Sequence, residues 1–315
     1  MSKITIARSK SLKSLSIFIL SNNRSLYSTR RLFEEASKRN HAIRVLPPIS
    51  LSMLIEKNNI SLYYQKEKLR KPHAIIPRLG QRKTMYTQAV IRQFEMLGVH
   101  SLNGSQAIVR SRDKLRTLQI LSQNNISVPK TFFLDALEDI DIALDAVSGA
   151  PVIIKIPEGT QGLGVMLAET ERSARSVLES LLEQGKHVLV QEFIEESKGS
   201  DTRAIILGGR LIAAMKRTAN AGEFRANLHR GGRQSSVNLS LESERMAKMA
   251  VDSLGLQFAG VDLIDSKRGP LILEVNPSPG LEGIEEATSV NIAKECIIYL
   301  ERLYKSKRKQ DIVGY

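Results

Sequence analysis

Two carboxylates and an amide near the C-terminal end have the types and spacing to hold a hard metal ion. In Leu271-Ile-Leu-Glu-Val-Asn-Pro-Ser-Pro279, Glu274 and Asn276 stand two apart on an expected strand and so share a face. The expected strand before it, Gly260–Ile264, carries Asp262. If the hairpin is symmetric about Arg268, Asp262 falls opposite Glu274. Facing carboxylates repel, and a divalent cation removes the repulsion. Three hard oxygen donors suit Mg²⁺ or Mn²⁺ bound together with phosphates. The competing reading is a hydrated pair on an outer face, with Val261, Leu263, Leu273 and Val275 as the only core face.

Three further features ask for an anion. Glu158-Gly-Thr-Gln-Gly-Leu-Gly164 lies between two expected strands, and its Gly159, Gly162 and Gly164 let backbone N–H groups approach phosphate closely. Its spacing fits neither the P-loop nor the dinucleotide fingerprint, so a plain hairpin turn is the alternative. Lys155 interrupts the apolar run Val152-Ile-Ile-Lys-Ile156 three residues earlier. A lysine there needs either an anionic partner or the wet face of an edge strand. Arg203, Arg217, Arg225, Arg230 and Arg233, with Asn227 and His229 nearby, offer forks for carboxylate or phosphate. Scattered arginines are usually surface residues, but Phe224-Arg-Ala-Asn-Leu-His-Arg-Gly-Gly232 is short, polar and glycine-closed, and reads as a loop closing over an anion. The set as a whole calls for ATP and a carboxylate substrate.

The elements that must position these residues are legible as an α/β pattern. Residues 1–14 are Ser/Lys-rich and read as a flexible extension, an upstream start, or a basic transit peptide. Strands are expected at Ile17–Leu20, Ala42–Leu46 and Ala74–Ile76, with helices at Thr29–Lys38 and Tyr86–Leu97. That alternation implies a small parallel sheet. Beyond it come a helix at Asp113–Leu121, strands at Thr131–Leu134, Val152–Ile156 and Val188–Glu192, and a helix at Ser173–Glu183. The last third reads as strands near Arg203–Leu207, Leu211–Met215, Gly260–Ile264 and Leu271–Val275, with helices at Glu242–Leu254 and Ile292–Leu303. The tail after residue 304 is basic and polar.

Composition excludes several classes. No apolar run approaches the ~20 residues of a membrane span. A single cysteine, Cys296, rules out an internal disulfide and a multi-thiolate metal site. Five scattered histidines argue against a histidine zinc site, and 5% aromatics argue against a base-stacking surface. The net charge of +13 is uneven: residues 1–112 hold 21 Lys/Arg against 5 Asp/Glu, and residues 113–315 hold 25 against 28. The basic part suits nucleic acid, a ribosome or an acidic polypeptide, unless it is simply a solvated surface.

Taken in order, the segments Ile76-Pro-Arg-Leu-Gly80, Arg92-Gln-Phe-Glu-Met-Leu-Gly98, Arg112-Asp-Lys-Leu-Arg116, Glu158–Gly162, Asn227–Gly232, Glu274-Val-Asn276 and Pro279-Gly-Leu-Glu-Gly-Ile284 make the chain resemble the RimK-type α-L-glutamate ligases of the ATP-grasp superfamily, from about Ser16 to Leu303. The resemblance implies an α/β and α+β fold: an N-terminal α/β (pre-ATP-grasp) domain over 15–112 and a two-lobed ATP-grasp domain over 113–303, with tails at 1–14 and 304–315. It implies that Lys155 and Lys114 contact ATP, that Gly159–Gly164 folds over the phosphates, and that Glu192 and Phe193 form the hinge that reads adenine. Asp201 and the triplet Arg225, Ala226 and Asn227 would also bind nucleotide, with Lys155 and Arg225 acting in catalysis. Asp262, Glu274 and Asn276 would hold Mg²⁺ or Mn²⁺, two ions in all, while Arg203 and Arg217 are candidates for the substrate.

The implied reaction is carboxylate–amine ligation through an acyl phosphate. L-Glutamate would be added to an acidic acceptor, the C-terminus of a small-subunit ribosomal protein. The implied setting is cytoplasmic and free of membrane, with homo-oligomerisation left open. A coenzyme tail or an amino-group carrier protein is the rival acceptor. A ribosome- or RNA-binding protein without turnover is the rival class.

Overall fold

The computed structural model describes residues 14–57, 59–80, 84–157, 164–197, 199–220 and 232–306. The apolar run Ile17–Leu20 becomes the buried core of β1 (Ser16–Leu20), as suits a central parallel strand covered on both faces. There follow α1 (Tyr27–Lys38), β2 (Ala42–Leu46), β3 (Leu51–Glu56), β4 (Asn59–Tyr64), β5 (Glu67–Lys68), β6 (Ala74–Pro77), α2 (Thr84–Met96) and β7 (His100–Ser101). The parallel sheet has the order β2-β1-β6-β7. From β1 the chain winds first to β2 on one side and then to β6 on the other, so the winding reverses between β1 and β6. The ribbon β3-β4-β5 was not expected; β3 fully buries only Leu51, which leaves no clear alternation to read.

Next come α3 (Ser105–Arg112) and α4 (Lys114–Gln123). One helix was expected here, from Asp113. Asp113 instead separates two: its carboxylate accepts the Arg116 N–H at 2.9 Å and caps α4. The next lobe holds β8 (Thr131–Leu134), α5 (Ile140–Ala146), β9 (Val152–Lys155), β10 (Val165–Ala168), α6 (Glu171–Glu183) and β11 (Val188–Glu192), with antiparallel sheet order β10-β9-β11-β8. Its Leu134, Val152, Ile154, Val188 and Val190 face α5 and α6 and form a core of their own. Chain entry and exit touch: the Glu192 N–H donates to Lys130 O at 3.0 Å, and the Lys130 N–H to Glu192 Oε1 at 2.6 Å.

The larger lobe comprises β12 (Ser200–Leu207), β13 (Arg210–Thr218), β14 (Arg233–Ser236), α7 (Leu241–Ser253), β15 (Phe258–Ser266), β16 (Gly269–Asn276), α8 (Glu282–Thr288) and α9 (Ile292–Ser306), with sheet order β14-β13-β12-β15-β16. Ala204, Ile206, Val261 and Leu263 pack with Ala247 and Ala250 of α7. The other sheet face is divided. Ile205, Leu207, Met215 and Phe258 join Ile17, Ile19 and Leu32 of the N-terminal domain and Ile297 and Leu300 of α9 in one core. Further along the same strands this face turns polar.

Polar ties reinforce the shared core. Glu301 takes both Arg39 nitrogens at 2.7 Å and His41 at 2.9 Å. The buried Asn103 amide uses both ends: Oδ1 accepts the Gln257 and Phe258 N–H groups at 2.9 Å, and Nδ2 donates to Phe258 O at 2.6 Å and Pro277 O at 2.8 Å.

Candidate active site

The polar face of the large sheet is built by register. Arg203 of β12 stands opposite Asp262 of β15, which stands opposite Glu274 of β16. The hairpin is not symmetric about Arg268: its turn is Lys267–Arg268, flanked by the pair Ser266 and Gly269. An irregularity between Asp262 and Leu263 then adds Leu273 to β16 and brings Glu274 opposite Asp262. Asp262 is buried and bound in a fork by Arg203, Nε to Oδ1 and Nη2 to Oδ2, each 2.7 Å. Arg217 Nη2 adds a contact at 2.9 Å to Oδ2, and Arg217 also grips Asp201, Nε to Oδ1 at 2.5 Å and Nη2 to Oδ2 at 2.7 Å. Burial alone would raise the Asp262 pKa, but the two guanidiniums hold it at about 2. Burial pushes Asp201 up to about 6 against the pull of Arg217. Arg203 and Arg217 therefore reach the expected site, but with their guanidiniums committed to these two aspartates.

Glu274 is exposed on this face. Its neighbours come from other elements. Lys155 ends β9, and its Nζ donates to Gln191 Oε1 at 2.6 Å; Gln191 Nε2 in turn donates to Thr131 Oγ1 at 2.8 Å. Burial lowers the Lys155 pKa to about 8, with Glu274 opposing the shift and Lys114 adding to it. Lys114, in the first turn of α4, reaches Ile156 O at 3.4 Å. Burial lowers its pKa as well, again opposed by Glu274. Two lysines from separate elements thus lie within electrostatic reach of one carboxylate on the facing lobe.

The remaining expected residues are placed as follows. Glu192 and Phe193 lie where β11 leaves the smaller lobe. The Glu192 carboxylate is held by the Lys130 N–H and by the Arg268 guanidinium, whose Nη1 lies 3.1 Å from Oε2. Gly164 has φ +81°, a conformation glycine adopts freely, and its carbonyl accepts the Ile156 N–H at 2.9 Å at the base of the glycine segment. Arg233 is exposed on β14. Gly159, Gly162, Arg225, Ala226, Asn227, His229 and Arg230 lie outside the described residues. The sequence reading missed Gln191, although a buried glutamine inside Val188-Leu-Val-Gln-Glu192 carries the same signal as Lys155.

The donor set fits a divalent ion that arrives with phosphate. Among the described residues no group of three or more His, Cys, Asp or Glu could hold one alone. A carboxylate has about four lone-pair sites. Among the described residues, Asp262 uses three, Glu274 uses none, and Asn276 Oδ1 accepts only the Ser278 N–H, at 2.9 Å. Such a partial oxygen shell suits a hard cation shared with phosphates.

Known proteins resemble this chain in family and fold. A family model for the RimK-like ATP-grasp domain matches residues 111–300, and one for the RimK PreATP-grasp domain matches residues 15–108. A probable alpha-L-glutamate ligase 1 of Shewanella frigidimarina is 50% identical over 290 residues, covering 92% of this chain and 96% of that protein. A probable alpha-L-glutamate ligase of Picosynechococcus is 48% identical over 301 residues, covering 96% and 100%. Among solved structures, the ATP-grasp ligase PsnB complexed with a precursor variant, Mg and ADP has a TM-score of 0.72 at 19% identity, covering 93% of this chain and 99% of that one. An ATP-grasp RimK domain protein from Sphaerobacter thermophilus has a TM-score of 0.68 at 19% identity, covering 90% and 98%. At that identity the two structures speak for the fold.

Proposed function

Because the chain belongs to the RimK-like ATP-grasp family, we propose that it joins L-glutamate to the C-terminal carboxylate of an acidic acceptor, a small-subunit ribosomal protein, in the cytoplasm. As a member of that family it is an ATP-dependent carboxylate–amine ligase. In the proposed reaction the acceptor carboxylate attacks the γ-phosphorus of ATP, and ADP leaves. The amine of glutamate then attacks the acyl phosphate carbonyl, phosphate departs, and an amide remains. No side-chain nucleophile is needed. The work is positioning and charge neutralisation.

The convergence of Lys155, Lys114 and Glu274 carries this reading. Lys155 and Lys114 would meet the phosphates, with Gly159, Gly162 and Gly164 closing over them. Glu192, Phe193, Asp201, Arg225, Ala226 and Asn227 would seat the rest of the nucleotide. Mg²⁺, or Mn²⁺ in its place, would be held as two ions by Asp262, Glu274 and Asn276 and would neutralise phosphate charge. The basic first third would draw in an anionic acceptor by long-range attraction.

The test is incubation with ATP, Mg²⁺, L-glutamate and a cell extract, followed by intact-protein mass spectrometry. A ribosomal protein gaining whole glutamyl increments is the expected result. ATP use that ignores glutamate would sink the ligase reading. Increments only on a carrier protein or a small molecule would move the acceptor.

A further inference from the structure

Two arginines that the reaction above leaves unused are half-buried near the site, and among the described residues neither has a counter-charge. Arg78 directly follows β6, and its backbone N–H donates to Leu20 O at 2.9 Å. It therefore sits at the carboxyl ends of β1 and β6, where the winding of the parallel sheet reverses, and ligands of open α/β sheets bind in that crevice. Its Nη2 donates to Pro279 O at 2.8 Å, while Nη1 is shut off from solvent and has no hydrogen-bond partner among the described residues. Arg112, from the last turn of α3, repeats the pattern. Its Nη2 donates to Leu79 O at 2.8 Å, and its Nη1 is buried and unpartnered. Among the described residues no carboxylate pairs with either. Burial lowers both pKa values, Arg78 to about 10, so Arg78 stays charged at neutral pH.

The place is next to the reaction. A Cβ on Gly260 would meet Pro279 Cβ at 2.9 Å and Arg203 Cδ at 3.7 Å, and Gly260 pairs with Asn276. Arg78 thus holds the loop that leaves the expected metal-binding strand. Arg203 and Arg217 have spent their forks on Asp262 and Asp201, whereas Arg78 Nη1 has no hydrogen-bond partner among the described residues. A buried guanidinium without a counter-ion is costly, and a carboxylate ligand relieves that cost with charge-assisted hydrogen bonds.

We propose that Arg78, supported by Arg112, receives the side-chain carboxylate of the incoming L-glutamate and so sets the choice of glutamate over glutamine. This rests on the glutamate-ligase reading above. An amide in place of the carboxylate would leave the buried charge unpaired, so the wild-type enzyme should favour glutamate by about a hundredfold in kcat/KM.

The experiment measures kcat/KM for L-glutamate and L-glutamine, and KM for ATP and for the acceptor, in wild type, Arg78→Gln, Arg78→Lys and Arg112→Gln. Arg78→Gln should bring the glutamate-to-glutamine ratio close to one while KM for ATP and the acceptor stays put. Arg78→Lys should keep part of the preference, and Arg112→Gln should weaken it. If Arg78→Gln does not fold, the other two variants decide by the same ratio. An unchanged ratio, an equal loss for both amino acids, or a rise confined to the acceptor KM overturns the proposal. A wild-type enzyme inert with glutamate sinks the ligase reading itself, whereas an active one whose ratio survives the variants sinks only this role of Arg78.

Discussion

Asp262 and Glu274 face each other across two strands and yet live in opposite surroundings. Asp262 is locked between two guanidiniums, while Glu274 is exposed with lysines in reach. Asp262→Asn should therefore cost about 3–5 kcal/mol of stability, because it strips buried charges of their partner. Glu274→Gln should abolish turnover with a stability change within about 0.5 kcal/mol. Urea unfolding beside a ligation assay separates the two; a Glu274→Gln enzyme active at saturating Mg²⁺ would remove it from the metal site. Lys155 sets a pH limit. Its ammonium is held below the usual lysine value, at about 8, so its charge is present below that pH and is lost as pH rises through it. ATP affinity of the free enzyme, followed by calorimetry, should fall over that interval; a flat affinity would take Lys155 off the phosphates. The facing carboxylates were legible in the sequence. The guanidiniums that neutralise Asp262 were not, because Arg203 stands 59 residues away and meets it only through the pairing of β12 with β15.

At the scale of elements, the sequence disclosed most of what had a run of apolar residues. Most of the expected strands and helices lie within a residue or three of their observed bounds. Much of what stayed hidden lacks that signal: β14 is Arg-Gln-Ser-Ser, α8 is a seven-residue helix with a glycine inside, and β3 is mostly exposed; α5 was missed although it buries Ile140, Ala143 and Leu144. The pairing of Asp262 with Glu274 was anticipated from a hairpin centred on Arg268. The true centre lies half a residue earlier, and the extra residue at Leu273 makes up the difference. A local irregularity of that kind leaves no mark in hydrophobic alternation. Asn103 is the element-level pin, since one side chain fixes the start of β15 and the segment after β16. Asn103→Ala should lose about 2–4 kcal/mol, as three buried backbone groups and one half-buried one lose their partner. Chemical denaturation measures it, and a loss below about 1 kcal/mol would show that water replaces the amide without penalty.

For the whole molecule the decisive fact is the distribution of cores. The N-terminal domain and the larger lobe share one, and the smaller lobe has another. Leu178→Ala and Leu300→Ala each remove a fully buried leucine and should each cost about 2–5 kcal/mol. Their reach should differ. Hydrogen exchange read by mass spectrometry should rise only across residues 131–192 in Leu178→Ala. In Leu300→Ala it should rise together in the N-terminal domain and the larger lobe. Uniform acceleration in both variants would mean that the cores unfold as one.

The contact between Lys130 and Glu192 has a genetic consequence. A stretch of chain whose two ends already touch can be lifted out, or exchanged for its counterpart from a relative, without stretching what stays behind. The smaller lobe is in that sense a cassette. Transplanting it would replace the β9 lysine and the glycine segment in a single stroke, while the aspartate–arginine face together with Arg78 and Arg112 remained on a platform that keeps its own interior.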